Sequence, residues 1–140
     1  MLNTTMQLQW KDIHHFDQLI HKGIMAEQFV AQHLYLNTGK SVSPELHYWP
    51  RDKKRSNAEV DFVISRDQEI IPIEVKSGTS GQLKSLHQLV HERKFKMGIK
   101  FGLNLPSEEN IDQQIMDKDG KQRVTYLLKK YPLYLIDTLF

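Results

Sequence analysis

The chain has 140 residues, with 19 Lys and Arg against 17 Asp and Glu, and its net charge of +2 permits a polyanionic partner without requiring one. This length suits a single domain, 1–140, that buries about two-thirds of its unfolded surface, and the lack of cysteine excludes disulfides, thiolate metal sites and a cysteine nucleophile. The sequence contains no apolar run of about 18 residues and no signal-peptide pattern, so we expect a cytoplasmic protein without a membrane segment.

The first predicted element is a helix over 11–37, where the spacing of apolar residues becomes helical. One stripe of this helix contains the apolar or small residues Phe16, Ile20, Gly23, Ile24, Val30, Ala31 and Leu34. Glu27 falls in the middle of that stripe, and a carboxylate facing a core must be paired, protonated or bound to a metal. The alternative to a site residue is an ordinary buried glutamate that pairs with an arginine or caps a backbone group.

A region of three predicted strands, 45–76, follows the helix. Its first strand, 45–49, leads into a loop over 50–57 that carries the basic residues Arg51, Lys53, Lys54 and Arg55. Such residues can contact the phosphates of a nucleic acid, although a solvated basic loop is the alternative interpretation.

The other two strands, 59–64 and 69–76, alternate apolar and charged residues with period two, which predicts half-buried strands. Their predicted apolar faces are Val60, Phe62 and Ile64 in one strand and Ile71, Ile73 and Val75 in the other. Their predicted opposite faces carry Glu59 and Asp61 in one strand and Glu74 and Lys76 in the other. The two strands therefore place three carboxylates and an ammonium group close together.

The register of the hairpin decides whether these charges meet. A two-residue turn would pair Arg66 with Glu69 and therefore Asp61 with Glu74, with Cβ atoms about 5 Å apart. A loop one residue longer would separate the carboxylates. Two carboxylates at this distance repel each other unless positive charge lies between them, and Lys76 and a divalent cation can supply it. The alternative is a ladder of exposed cross-strand ion pairs.

Asp61, followed by Glu74-Val75-Lys76, resembles the D…(D/E)-x-K signature of the PD-(D/E)xK nuclease superfamily. From His21 to Ser85, including HKGIMAEQFVAQHL and IIPIEVKSG, the sequence is similar to the C-terminal nuclease-like domain of a prokaryotic AAA-type ATPase family of unknown function. The resemblance implies an α/β (α+β) fold with a restriction-endonuclease-like αβββαβ core, a mixed sheet flanked by helices. It also implies an N-terminal AAA-type ATPase module as a partner.

The same resemblance implies a chemistry for these residues, namely hydrolysis of the phosphodiesters of DNA or RNA. Asp61 and Glu74 would bind Mg²⁺ or Mn²⁺ with help from the backbone carbonyl of Val75. Lys76 would orient or activate the attacking water, and Glu27 would complete the metal shell or hold a second ion. Because carboxylates favour a charged neighbouring ammonium group, we assign Lys76 to positioning and charge stabilisation before proton abstraction. The proline that usually precedes the aspartate in the superfamily is Val60 here. The alternative function is a non-catalytic module that regulates the ATPase or binds nucleic acid or a partner.

After the motif, the sequence predicts a second helix over 82–94 and further strands over 96–136. Within the latter region we expect a strand over 96–103, a polar excursion over 106–122 with a short helix around 110–117, and strands over 123–128 and 133–136. His87 and His91 have the i, i+4 spacing of a metal pair but lack a third ligand, so exposed helix surface is the favoured interpretation. The sequence does not define the oligomeric state.

Overall fold

A computed structural model describes residues 23–37, 47–50, 59–78 and 81–139. These residues form helices α1 (Ile24–Asn37), α2 (Lys84–Arg93) and α3 (Ile136–Leu139), the 3-10 helix Leu133–Leu135, and strands β1 (His47–Pro50), β2 (Glu59–Arg66), β3 (Glu69–Val75), β4 (Met97–Gly102), β5 (Ser107–Asp117) and β6 (Gly120–Pro132). From α1 to β4 the order of elements is helix, three strands, helix and strand, as predicted. None of the helices in these ranges is long and apolar enough to cross a membrane.

The strands form one mixed sheet in the order β1-β2-β3-β4-β6-β5. β2 is antiparallel to both β1 and β3, β4 is parallel to both β3 and β6, and β5 closes the sheet antiparallel to β6. The parallel pairing of β3 and β4 requires a crossover connection, which contains α2. The chain therefore has the predicted mixed sheet with helices, in the α+β class.

Apolar side chains are buried on both faces of the sheet. The α1-side core contains Ala26, Val30, Leu34, Ile64, Ile71, Ile73, Val75, Ile99, Phe101 and Ile136. The α2-side core contains Val60, Leu83, Leu86, Leu89, Val90, Ile111, Val124, Tyr126 and Leu128. The central strands β3 and β4 are thus covered by helices on both sides, which explains why they are buried along most of their length.

The β2–β3 hairpin has the predicted register, with Arg66 paired to Glu69 and Phe62 paired to Ile73. Its two turn residues, Asp67 and Gln68, have positive φ angles of 50° and 68°. Two successive residues with positive φ are typical of the two-residue turn whose twist matches that of the flanking strands. The pairing that brings Asp61 toward Glu74 therefore follows from the length of this turn.

The predicted shared face of Val60, Phe62 and Ile64 is wrong. Val60 packs in the α2-side core, whereas Phe62 and Ile64 pack in the α1-side core. The cause is a bulge in β2 opposite β1. His47 pairs with Val63 and Trp49 pairs with Val60, so two residues of chain on β1 lie opposite three on β2. One extra residue reverses the alternation of side chains, and Asp61 lies inside this irregular segment.

The first helix also differs from the prediction, because α1 begins at Ile24 and Gly23 before it has a φ of +68°. Glycine tolerates this conformation, and the Gly23 carbonyl accepts a 2.9 Å hydrogen bond from the backbone N–H of Glu27. Gly23 therefore starts the helix rather than lying within it. Ile24 is 64% exposed and does not join the buried stripe, whereas Ala26 does. The predicted helical residues 11–22 lie outside the described part of the chain.

The C-terminal predictions are wrong in two places. The supposed excursion over 106–122, with its short helix, contains the 11-residue strand β5, in which Ile111 and Ile115 pack against the α2-side core. As an edge strand, β5 leaves its other side chains mostly exposed, which accounts for its polar sequence. The predicted strand over 133–136 is also wrong, because the 3-10 helix and α3 lie there, and β6 continues past the predicted end at residue 128 to Pro132.

Candidate functional site

The bulge in β2 aims the side chain of Asp61 at the end of β3. Its Oδ2 accepts a 2.6 Å hydrogen bond from the backbone N–H of Val75. The paired ladder of β2 and β3 ends at Phe62↔Ile73, so this carboxylate extends the contact between the two strands by one further bond. Asp61 is thereby fixed beside Glu74, the neighbour of Val75 in the chain.

Glu74 is buried, with only 4% of its surface exposed. Its Oε1 accepts a 2.5 Å hydrogen bond from Nζ of Lys76, the residue two positions later on the same side of the strand. Its Oε2 is buried and has no hydrogen-bond partner among the residues that the structure describes. A buried carboxylate oxygen without a partner costs free energy, and such a group needs a proton, a water or a cation.

Glu27 joins these residues from the first turn of α1 and is half-buried. Its charge contributes to raising the pKa values of both Asp61 and Glu74, so the three carboxylates share one region of the molecule. Hydrogen bonds join Asp61 to the Val75 backbone and Lys76 to Glu74, and Glu27 acts on these carboxylates through its charge. The convergence of all four residues on one site stays a prediction.

The electrostatics of the site favour protonated carboxyl groups in the absence of a cation. Burial raises the pKa of Asp61 from 3.8 to about 7, with further increases from the charges of Glu74 and Glu27, against the lowering effects of the Val75 hydrogen bond and Lys76. Burial is also the largest cause of the raised pKa of Glu74, which Lys76 opposes. The site thus has more negative charge than one lysine neutralises, as in many functional sites.

These donors fit a hard divalent cation in type. Two carboxylates from neighbouring strands are ligands that Mg²⁺ and Mn²⁺ favour, and one of them has a buried oxygen without a partner in the described part of the chain. Across residues 23–37, 47–50, 59–78 and 81–139, no three His, Asp or Glu side chains form a group that would hold an ion alone. Waters or backbone carbonyl groups would have to supply the remaining ligands, which is usual for Mg²⁺.

Lys100 is a charged residue of this region that the sequence did not single out. It lies on β4 directly beside Glu74, and it is buried, with 4% of its surface exposed. Burial lowers its pKa, as do the charges of Lys130 and Lys76. The only signal in the sequence is a lysine within the apolar strand Met97–Gly102.

The prediction that His87 lies on exposed helix surface is wrong. His87 is 7% exposed, and its Nδ1 lies 2.9 Å from the hydroxyl of Tyr126, with which it is hydrogen-bonded. The sequence offers no signal for this contact, because 39 positions separate the two residues. The predicted nucleic-acid contacts Lys53, Lys54 and Arg55 lie outside the described residues.

A family model with the description "Domain of unknown function (DUF4143)" matches residues 22–120. This range includes Glu27, Asp61, Glu74 and Lys76, which we call the acidic site. The chain belongs to this family. DUF4143 is associated with AAA-ATPase-like proteins, in agreement with the coarser part of the resemblance. A search of curated proteins found no match to the chain. The residues that match DUF4143 span α1 through β5.

Proposed function

We propose that this DUF4143 chain is a metal-dependent nuclease-like domain that hydrolyses nucleic-acid phosphodiesters and works as the C-terminal module of an AAA-type ATPase. In this proposal the αβββαβ order of α1 to β4 is a restriction-endonuclease-like core. The observation that carries the proposal is the meeting of Asp61 and Glu74 at the ends of two strands. Lys76 is hydrogen-bonded to one oxygen of Glu74, and the other oxygen is buried without a partner among the described residues.

Asp61 and Glu74 would hold Mg²⁺ or Mn²⁺, and Glu27 would reach the cation through water. A cation held there supplies polarisation of a phosphoryl oxygen and stabilises charge on the leaving oxygen. The Asp61 carboxylate is held by the Val75 N–H, so that it is oriented before any ligand arrives. Such preorganisation avoids the cost of ordering a flexible side chain during binding.

Lys76 would position the attacking water and stabilise developing negative charge. Its ammonium group has a fixed hydrogen bond to Glu74, and its backbone N–H donates a 2.8 Å hydrogen bond to the carbonyl of Phe101 on β4. Both ends of the residue are thus anchored. A charged ammonium group is suited to electrostatic stabilisation, which depends on position more than on proton transfer.

The direct test is a cleavage assay with circular and linear DNA, and with RNA, in Mg²⁺, in Mn²⁺ and in EDTA. The proposal predicts cleavage by the wild type with either metal, none in EDTA, and a loss of at least about 100-fold in Asp61→Asn. The exposed Asp112 pairs with Arg123 away from the site, so Asp112→Asn is the matched control and should cleave normally. Cleavage by Asp61→Asn at the wild-type rate would refute the proposal.

A second candidate is a non-catalytic module that docks on the ATPase. It is favoured by α1, which exposes large apolar residues on either side of its buried stripe: Ile24 at 64%, Phe29 at 37%, Tyr35 at 65% and Leu36 at 71%. This candidate predicts no metal-dependent cleavage. It also predicts that Tyr35→Ser and Leu36→Ser weaken association with the ATPase module in pull-down experiments, while Asp61→Asn does not.

A further inference from the structure

A cleft with a volume of about 460 Å³ lies between the start of α2 and strands β4, β5 and β6. Its charged lining consists of Lys84 from α2, Lys100 from β4, Lys130 from β6 and Glu109 from β5. Glu109 is bound to Lys130 in an ion pair. Among the described residues that line the cleft, three ammonium groups therefore face one carboxylate. Because positive charge exceeds negative charge in this lining, the cleft attracts anions.

The start of α2 adds to this positive potential. Residues 81–84, which lead into the helix, line the cleft, and the N-cap residue Leu83 has no side-chain oxygen that could accept a hydrogen bond from the first-turn N–H groups. The first turn also contains no acidic residue. The partial positive charge of the helix N-terminus is thus left to face the cleft beside the lysines. The polar side chains of Gln82 and Gln113 supply further donors to the lining.

The cleft adjoins the acidic site. Gly81 forms part of its lining, and a Cβ atom placed at Gly81 would lie 3.2 Å from Cδ of Lys76. The stem of Lys76 therefore runs past one end of the cleft, while its ammonium group contacts Glu74. On β4, Lys100 is directly beside Glu74. An extended ligand can consequently occupy the cleft and the acidic site together.

We propose that this cleft binds a phosphate group of a DNA strand, adjacent to the phosphate that lies at the acidic site. The proposal rests on the proposed function and defines which surface holds the substrate. A nucleic acid matches the two regions because its phosphates repeat along the strand, so that one can lie against the lysines while its neighbour lies at the carboxylates. Contacts of this kind fix the position of a strand without reading its sequence.

The test measures binding of a short fluorescein-labelled single-stranded DNA in EDTA by fluorescence anisotropy, where hydrolysis and metal binding play no part. We expect Lys84→Gln and Lys100→Met each to weaken binding by about three- to tenfold, and each to lower the slope of log K against log salt by about 0.7. Lys121, an exposed lysine on β6 outside the cleft lining, provides the matched control Lys121→Gln. Cleft variants that bind no more weakly than Lys121→Gln would overturn the proposal.

Glu109→Gln gives a test of opposite sign. Removing this carboxylate leaves Lys130 unpaired in the cleft, so we expect tighter DNA binding, by about two- to fivefold. A variant that merely loosened the fold would not bind more tightly. Because Lys100 is buried and Lys100→Met can disturb folding, Lys84→Gln and Glu109→Gln, both on exposed side chains, decide the outcome if that variant is unfolded.

Competition with inorganic phosphate distinguishes a phosphate group of DNA from a free phosphate ion as the ligand of the cleft. A cleft that binds a DNA strand holds the oligonucleotide far more tightly than inorganic phosphate. Equal affinities would assign the cleft to a free phosphate ligand and overturn the proposal.

The proposed function and the proposed cleft can also fail separately. DNA binding in EDTA that depends on the cleft, without Mg²⁺-dependent cleavage, would remove the hydrolysis and support the cleft. Cleavage that is unaffected by Lys84→Gln and Lys100→Met would remove the cleft alone.

Discussion

The Asp61 carboxylate accepts a 2.6 Å hydrogen bond from the backbone N–H of Val75 at the point where the pairing of β2 and β3 ends. Asp61 therefore joins two strands and faces Glu74 at the same time. Charge and structure conflict at this residue: the bond orients the carboxylate, but burial and Glu74 make its ionised form unfavourable. This conflict leads to the first two predictions.

Asp61→Asn is expected to stabilise the metal-free protein at pH 8 while preserving the fold, because an amide oxygen can still accept the Val75 hydrogen bond. The pKa of Asp61 is about 7 in the folded protein and 3.8 ordinarily. Between these two pH values the folded state retains a proton that the unfolded chain has lost. Wild-type stability in EDTA should thus fall as the pH rises from about 4 to about 7, and the neutral amide of the Asp61→Asn variant removes that loss. Thermal unfolding at low and high pH measures the difference, and a variant that is less stable than the wild type at pH 8 would contradict it.

Metal binding should depend on pH in the opposite direction. A cation must displace the proton from Asp61, and the raised pKa of Glu74 adds to this requirement. We expect Mn²⁺ affinity to rise about tenfold per pH unit below about pH 7 and to level off above it. Calorimetric titrations across this range measure the dependence. An affinity that stays constant between about pH 5.5 and pH 8 would show that these carboxyl groups do not bind the ion.

Lys76→Met should destabilise the protein by about 1–3 kcal/mol, because it leaves the buried Glu74 without its hydrogen-bond donor. The double variant Glu74→Gln/Lys76→Met should recover part of this loss, since no buried charge then remains at either position. Chemical denaturation of the two single variants and the double variant gives the coupling energy. A coupling energy near zero would show that the bond between Lys76 and Glu74 contributes nothing to the fold.

Gly102→Ala tests the close packing behind Lys76. A Cβ atom there would lie 2.9 Å from the carbonyl oxygen of Gly78 and 3.2 Å from that of Lys76, and backbone atoms cannot move away cheaply. We expect a loss of about 1–3 kcal/mol and weaker cleavage, because the segment that carries Lys76 must shift. Gly78→Ala is the matched control, since a Cβ atom at Gly78 meets no atom of the described residues within 4 Å. Equal effects of the two substitutions on denaturation midpoints would contradict this account.

Tyr126→Phe removes the hydroxyl that bonds to Nδ1 of the buried His87, and should cost about 1–3 kcal/mol. Burial lowers the pKa of His87 in the folded protein. The neutral buried imidazole therefore stabilises the fold above the ordinary pKa of 6.5. This stabilisation is lost as the pH falls below 6.5, because the unfolded chain takes up a proton before the folded protein does. Denaturation of Tyr126→Phe beside Tyr134→Phe, which alters a 68% exposed residue, measures the effect. A Tyr126→Phe variant as stable as Tyr134→Phe would contradict a stabilising role for this hydrogen bond.

The hairpin could be predicted from the sequence because its information is local. Period-two alternation and a two-residue turn determine which residues face each other, and the observed pair Arg66↔Glu69 follows from them. The bulge in β2 could not be predicted, because it arises from the pairing with β1 and reverses the faces of Val60 and Phe62 without any local signal.

The C-terminal half was harder to predict for the same reason. β5 is an edge strand whose exposed side chains are polar, so its local composition resembles a loop, and its pairing with β6 makes it a strand. Lys100 and His87 likewise have environments that distant elements create. Burial of His87 depends on Tyr126, and the cleft around Lys100 requires α2, β5 and β6 together.

The central claim is that Asp61 and Glu74 form the core of a divalent cation site, and calorimetric titration of Mn²⁺ into the wild type and Glu74→Gln tests it most directly. The amide in Glu74→Gln retains an oxygen for Lys76 but loses the charge, so Mn²⁺ affinity should fall by at least about tenfold at pH 8. Glu108→Gln, which alters a carboxylate paired with Lys129 on an exposed strand, should bind as the wild type does. Equal Mn²⁺ affinity in the wild type and Glu74→Gln would contradict the claim.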